Sequence, residues 1–237
     1  MQRVTHIGGH PDAAGTPQTE HAKEGLCIVV ILFHAYVGTG QTVNFREGLE
    51  VSYQDALSLA GEQSNTAALG ALKTLGPPPY SPDELRNLGR WLVKLGGGIY
   101  GETTVWPIFK PIILAPGYSL IDIHKYKDGS SQAMTRVLGA IMNEDLHELG
   151  YDFEIPIFFF LGRYDHNTPS SLAEDYFNAI EAPFKKLIWF EQAGHVPMLA
   201  QPKRFARELI EQVLAVVEEG EVREPKGTLH SSFVEKG

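Results

Sequence analysis

Two residues in the last third of the chain have the types and the spacing for hydrolytic chemistry. In Leu161-Gly-Arg-Tyr-Asp165-His-Asn-Thr-Pro169 an aspartate comes four residues after an apolar run, and in Phe190-Glu-Gln-Ala-Gly194-His195-Val-Pro197 a histidine comes five after another. A histidine can take the proton of a nucleophile, while a carboxylate behind it fixes the ring tautomer and stabilises the imidazolium. Losing that carboxylate alone can lower turnover by about 10⁴. Taken singly, Asp165 is also good turn chemistry and His195 a loop histidine after Gly194. Together, in the order Asp then His with an apolar run before each, they are the candidate orienting acid and general base of a triad.

Strands must bring both residues to one edge. Ile155–Leu161 (IPIFFFL) and Lys186–Phe190 read as buried strands, Ser171–Ile180 as the helix between them, and Pro202–Val217 as a closing amphipathic helix. Strand, helix, strand, helix predicts a right-handed parallel crossover. Catalytic groups in open parallel sheets gather beyond the carboxyl ends of the strands. Upstream, Leu26–Val37 is apolar and β-branched, is broken mainly by His34, and stops at Gly38-Thr-Gly40. That pattern predicts a strand buried on both faces.

The block between these strands reads as mostly helix and loop. A helical pattern from Ser52 to Leu75 is ended by Gly76-Pro-Pro-Pro79. Ser81, Pro82 and Glu84 then supply an N-cap, a first-position proline and a capping box for a helix to about Leu95, stopped by three glycines. Residues 103–129 read as irregular, and Ser131–Leu149 as a helix with Gly150 as its stop.

Composition narrows the function classes. The chain has 237 residues, 43% hydrophobic and 21% charged, enough for one large domain or a core with an inserted subdomain. The net charge is −9 and no basic stripe gathers the 20 Lys and Arg, which argues against nucleic acid and for a small or peptidic partner. The single cysteine, Cys27, excludes an internal disulfide framework and a Cys-rich zinc site. Leu26–Phe33 (LCIVVILF) is far shorter than the roughly 20 residues of a membrane span. It has the length of a signal-peptide core but starts late and lacks a clear cleavage site, so it reads as a strand and the chain as cytoplasmic.

Residues 1–25 read as a disordered lead-in, and the tail from residue 218 as charged and loose. His6, His10 and His21 in the lead-in have no helix to align them and no carboxylate framework, so no metal is expected there. Gly96-Gly-Gly98-Ile-Tyr-Gly101 fits G-x-G-x-x-G but follows a helix, the reverse of a dinucleotide fingerprint. It reads as a helix stop, and no cofactor is expected.

The stretch from Ile155 through Asp165 to Pro169, followed by Ala193-Gly-His-Val-Pro197 and a Gln-Pro leading into the last helix, resembles the C-terminal part of the α/β-hydrolases, especially the proline iminopeptidase-like branch. The block from His34 to Tyr80 (HAYVGTGQTVNF through LGPPPY) is similar to that branch too, and the likeness covers roughly residues 33–217. The resemblance implies a partial α/β-hydrolase core from residues 26–43 and 150–217, with residues 44–149 as a helical cap. It implies Asp165 and His195 as acid and base, and N-terminal residue removal from small peptides as the parent activity. Glu47 and Glu50 are of interest as cap carboxylates for a free amino group, although a solvated helix start explains them as well. Tyr100, Trp106, Phe109 and Tyr118 could line a pocket, and packing explains them equally.

The resemblance also implies a nucleophile elbow, G-x-S-x-G, on a tight strand-to-helix turn. No serine matches it. Ser58 lies between small residues but inside a helical segment. Ser119 follows the apolar Ile112–Leu114, yet bulky Ile121 stands where a small residue is needed. Cys27 lies early in an apolar run and reads as a packed core thiol. The expectation is a truncated form whose elbow and first strands are missing, with an exposed apolar sheet edge that favours a homo-oligomer. The alternative to an enzyme is an inactive product acting as a binding or dimerising module.

Overall fold

The computed structural model describes residues 34–218 apart from Pro116 and Tyr118. The readings of Leu26–Phe33, Cys27, His6, His10, His21 and Tyr118 lie outside the described residues. From Ala35 onward the described chain is one compact unit. It is of the α/β class, a parallel sheet with a mainly helical insertion.

Three strands form the sheet in the order β1 (Tyr36–Thr39), β2 (Ile157–Gly162), β3 (Lys185–Phe190), all parallel. Every residue of β2 is buried. Because strand side chains alternate between faces, the run of apolar residues feeds two cores. Ile157, Phe159 and Leu161 pack with Ala173, Tyr176 and Phe177 of the helix that joins β2 to β3. Phe158 and Phe160 pack on the other face with Ile188, Phe190 and, from the last helical segment, Phe205, Leu209 and Val213.

The insertion between β1 and β2 carries α1 (Phe45–Glu62), α2 (Thr66–Leu75), α3 (Pro82–Lys94), α4 (Trp106–Leu114), α5 (Leu120–Ile141) and a 3₁₀ turn (Leu146–Leu149). Leu49, Tyr53, Ala56, Ala60, Leu72, Leu88 and Leu92 bind α1, α2 and α3 into a third core. After β2 come α6 (Ser170–Ala179), β3, then α7 (Pro197–Ala200) and α8 (Pro202–Glu208), which widens into a π-helical turn over Leu209–Leu214.

Several expected boundaries moved, each for a local reason. β1 does not stop at Gly38, since Gly38 and Thr39 pair with Phe159 and Phe160, and its described part is not buried on both faces as expected, because it is the edge strand of the described sheet and Tyr36 is exposed. The glycine marks a close approach, since a Cβ there would lie 2.7 Å from Gln41 Oε1 and 3.1 Å from the Phe159 ring. The single helix expected over Ser52–Leu75 is two, broken at Ser64 (φ 52°), with Asn65 capping the second by accepting the Ala68 N–H. The first begins earlier than expected, capped by Asn44. The region expected to be irregular holds α4, with Pro111 inside it, and the start of α5. The helix expected to run to Leu149 ends at Ile141, whereas the capping box of Ser81 and Glu84 stands as read.

Candidate functional site

Asp165 and His195 lie just past the carboxyl ends of β2 and β3, and the structure brings them together. Asp165 is 4% exposed. Its Oδ1 accepts the N–H groups of Asn167 (3.0 Å) and Thr168 (2.9 Å), an Asx turn. Its Oδ2 accepts the Thr168 hydroxyl at 2.9 Å and faces His195 Nδ1 at 3.1 Å. The turn chemistry of Asp165 is therefore compatible with its contact to His195: one oxygen makes the turn and the other meets the histidine.

Glycines let these loops close on one another. The main-chain N–H of His195 donates to the Gly98 carbonyl (2.9 Å), that of His166 to Gly97 (3.0 Å), and that of Tyr164 to Ala193 (2.9 Å). A Cβ at Gly194 would lie 2.6 Å from the Gly98 oxygen, and one at Gly162 would run into the carbonyls of Gly194 and Ala193. Gly40 sits in the left-handed region (φ 53°), and a Cβ there would lie 2.7 Å from His195 Cε1 and 2.8 Å from Nδ1. The Gly96–Gly98 segment is thus more than a helix stop, because its carbonyls hold both histidine-bearing loops. The available signal was three glycines in a row where one ends a helix.

Burial of the His195 ring disfavours its charged form, but the hydrogen bond to Asp165 and the negative charge of that carboxylate win, and the pKa lies above the usual histidine value. A second pair lies next to it. His166 Nδ1 meets Asp55 Oδ2 of α1 at 2.6 Å. The hydrogen bond to Asp55 raises the His166 pKa against partial desolvation, with further help from the charges of Asp55, Asp165 and Glu62.

The other candidates fare differently. Ser119 is the N-cap of α5, locked in a capping box with Asp122, and exposed Ser58 bonds Glu62. Among the described residues, the His195 ring bonds Asp165 and Thr168 and no serine. Glu47 and Glu50 are exposed on α1. Of the aromatics, Tyr100 packs at a tilt against Tyr164 (centroids 4.8 Å apart), next to Asp165 in sequence, whereas Trp106 is 55% exposed and Phe109 packs edge-on to Tyr126. Among the described residues no group of three or more His, Cys, Asp or Glu is arranged to hold a metal, and no helix is long and apolar enough to cross a membrane.

No protein-family profile matches the chain. It is 22% identical over 180 residues to a probable aminopeptidase, YbaC, of Bacillus subtilis (strain 168). That match covers 75% of this chain and 57% of the relative, so the chain spans little more than half the length of that curated protein. Among solved structures, an esterase from Exiguobacterium antarcticum is 15% identical with a TM-score of 0.43, covering 82% of this chain and 63% of that one. MGS-M2, an α/β hydrolase enzyme from a Medee basin deep-sea metagenome library, is 17% identical with a TM-score of 0.37, covering 85% and 70%.

Proposed function

We propose, from the premise that the chain is related at low identity to the α/β-hydrolases, that it serves hydrolysis of the aminopeptidase type, removing N-terminal residues from small peptides. His195 acts as general base through Nε2, and Asp165 orients it and stabilises the imidazolium. The insertion over residues 44–149 is read as a cap over this site, and no described residue supplies the nucleophile. The observation that carries the reading is the 3.1 Å contact between a buried aspartate and a histidine at the strand ends of a parallel sheet. The likeness to a probable aminopeptidase adds the choice of substrate class.

The test pairs aminoacyl and prolyl p-nitroanilide turnover with a fluorophosphonate probe read by mass spectrometry. Turnover that His195→Ala abolishes is expected, and a stoichiometric label would locate a nucleophile outside the described residues. Folded protein that neither turns over nor takes the label overturns the reading. A second reading, an inactive binding or dimerising module, is favoured by the outer edge of β1, which has no strand partner among the described residues, and by the 44% exposure of Tyr36 on it. A folded, unlabelled dimer in size-exclusion chromatography would select it.

A further inference from the structure

Three polar atoms close a triangle at the centre of the site. Thr168 Oγ1 lies 2.9 Å from Asp165 Oδ2 and 3.0 Å from His195 Nδ1, and the last two are 3.1 Å apart. We propose that Thr168 is a positioning residue whose hydroxyl, as a second acceptor beside the Asp165 carboxylate, holds the His195 Nδ1–H in place and leaves Nε2 free to accept a proton; the importance of that arrangement rests on the reading of His195 as the base.

The number of protons in the triangle decides the tautomer. A hydroxyl has one to give, and a carboxylate only accepts. The Thr168 proton goes to Asp165 Oδ2, so the contact between Oγ1 and Nδ1 holds only if the ring donates. Nδ1–H then forms a three-centre bond shared by Oγ1 and Oδ2, and all three contacts are favourable. In the opposite tautomer the bare Nδ1 faces the carboxylate lone pairs. The hydroxyl can turn to satisfy Nδ1, but Oδ2 then loses both donors, and leaving a buried acceptor unpaired is costly.

Local structure keeps the hydroxyl in this role. The Thr168 N–H is tied to Asp165 Oδ1, and the next residue is buried Pro169, which restricts the backbone of Thr168 to extended conformations. Its β-branched side chain has few rotamers. Asp165 and His195 are set by their own loops, and Thr168 reaches both from the turn that the aspartate itself organises.

The test is ¹⁵N-histidine NMR of the full chain, with assignment of His195 by His195→Gln. The wild-type neutral ring is expected to show Nδ1–H, protected from solvent exchange. In Thr168→Val the protection falls about fivefold, the order expected for one lost hydrogen bond, while the Asp165 carboxylate keeps the ring Nδ1–H. Thr168→Ser restores the protection. A Nε2–H ring in the wild type overturns the proposal without any variant, and so does a folded Thr168→Val protein with unchanged exchange. No substrate enters this measurement. Failure of the p-nitroanilide and labelling assays beside a Thr168-dependent protection therefore removes the hydrolase reading alone.

Discussion

Replacing Gly40 by alanine tests the geometry of the site from the strand on its far side. Gly40 has φ 53°, and its methyl would stand 2.7 Å from His195 Cε1, 2.8 Å from Nδ1 and 3.1 Å from the His195 carbonyl oxygen. The left-handed backbone alone costs alanine about 1–2 kcal/mol. Forcing a methyl into a filled space costs about 1–3 kcal/mol more, so the total is about 2–5 kcal/mol if nothing moves. The ring can instead retreat by about 0.8 Å to an ordinary carbon contact of roughly 3.5 Å. A retreat directed away from Asp165 lengthens the 3.1 Å contact toward about 3.9 Å, beyond a hydrogen bond. The stability loss then shrinks toward the backbone strain, and the His195 pKa falls toward its ordinary value because the cause that raised it is gone. Urea unfolding followed by tryptophan fluorescence reads the first outcome, and NMR titration of His195 reads the second. A Gly40→Ala protein within about 0.5 kcal/mol of wild type, and with His195 titrating as before, refutes the placement of the ring against Gly40.

Asp165→Asn keeps an oxygen for the turn but removes the charge behind His195; turnover should fall by up to about 10⁴ with circular dichroism unchanged, and a loss under tenfold contradicts the assignment. His195 and His166 both have raised pKa values in the folded chain, so the stability they lend is complete below about pH 6.5 and is lost as pH rises through the raised values. Thermal melts above pH 6.5 should show that decline, and it should lessen in Asp55→Asn; a contribution that grows with pH contradicts it. By the same shift, the acid limb of any His195-dependent hydrolysis should have its midpoint above about pH 6.5, where the ring becomes neutral. Ser119→Ala should cost about 1 kcal/mol as a lost helix cap and leave any hydrolysis untouched; abolished turnover would reinstate Ser119 as a nucleophile.

What was legible in the sequence was what local chemistry determines. The run Ile155–Leu161 reads as a buried strand, and the structure has one over Ile157–Gly162 whose alternation puts Phe158 and Phe160 on one face and Phe159 on the other. The capping box at Ser81 is complete within four residues. Asp165 and His195 could be paired because parallel strands send the residues after them to the same edge. The errors fell where one residue has two readings. Residues 103–129 read as irregular, yet α4 forms there with Pro111 inside it, and Gly38 reads as a stop but is a bare spot in β1 against the Phe159 ring. Asn65, a cap in mid-pattern, was hidden by apolar periodicity that runs across the break between α1 and α2. Thr168 and Gly97 act through residues far along the chain, and no local rule points to such a contact.

These long-range contacts bear on what holds the site together. The sheet brings the Asp165 and His195 loops to one edge, but an edge alone leaves loop conformations free. The helical insertion removes that freedom at two backbone bonds, from His166 to Gly97 and from His195 to Gly98, and at the Asp55–His166 pair. A satisfied backbone bond contributes about 1 kcal/mol, while leaving its partner buried and unpaired costs about 1–3 kcal/mol. Movement of the Gly96–Gly98 segment is therefore coupled to both histidines at once. Any substitution in α3 that shifts that segment should be felt at His195 before it is felt in the sheet, since Gly162 and Gly194 are already at closest approach and leave the loop no slack. The insertion is then part of the site's scaffold, and the dyad is a property of sheet and helices jointly.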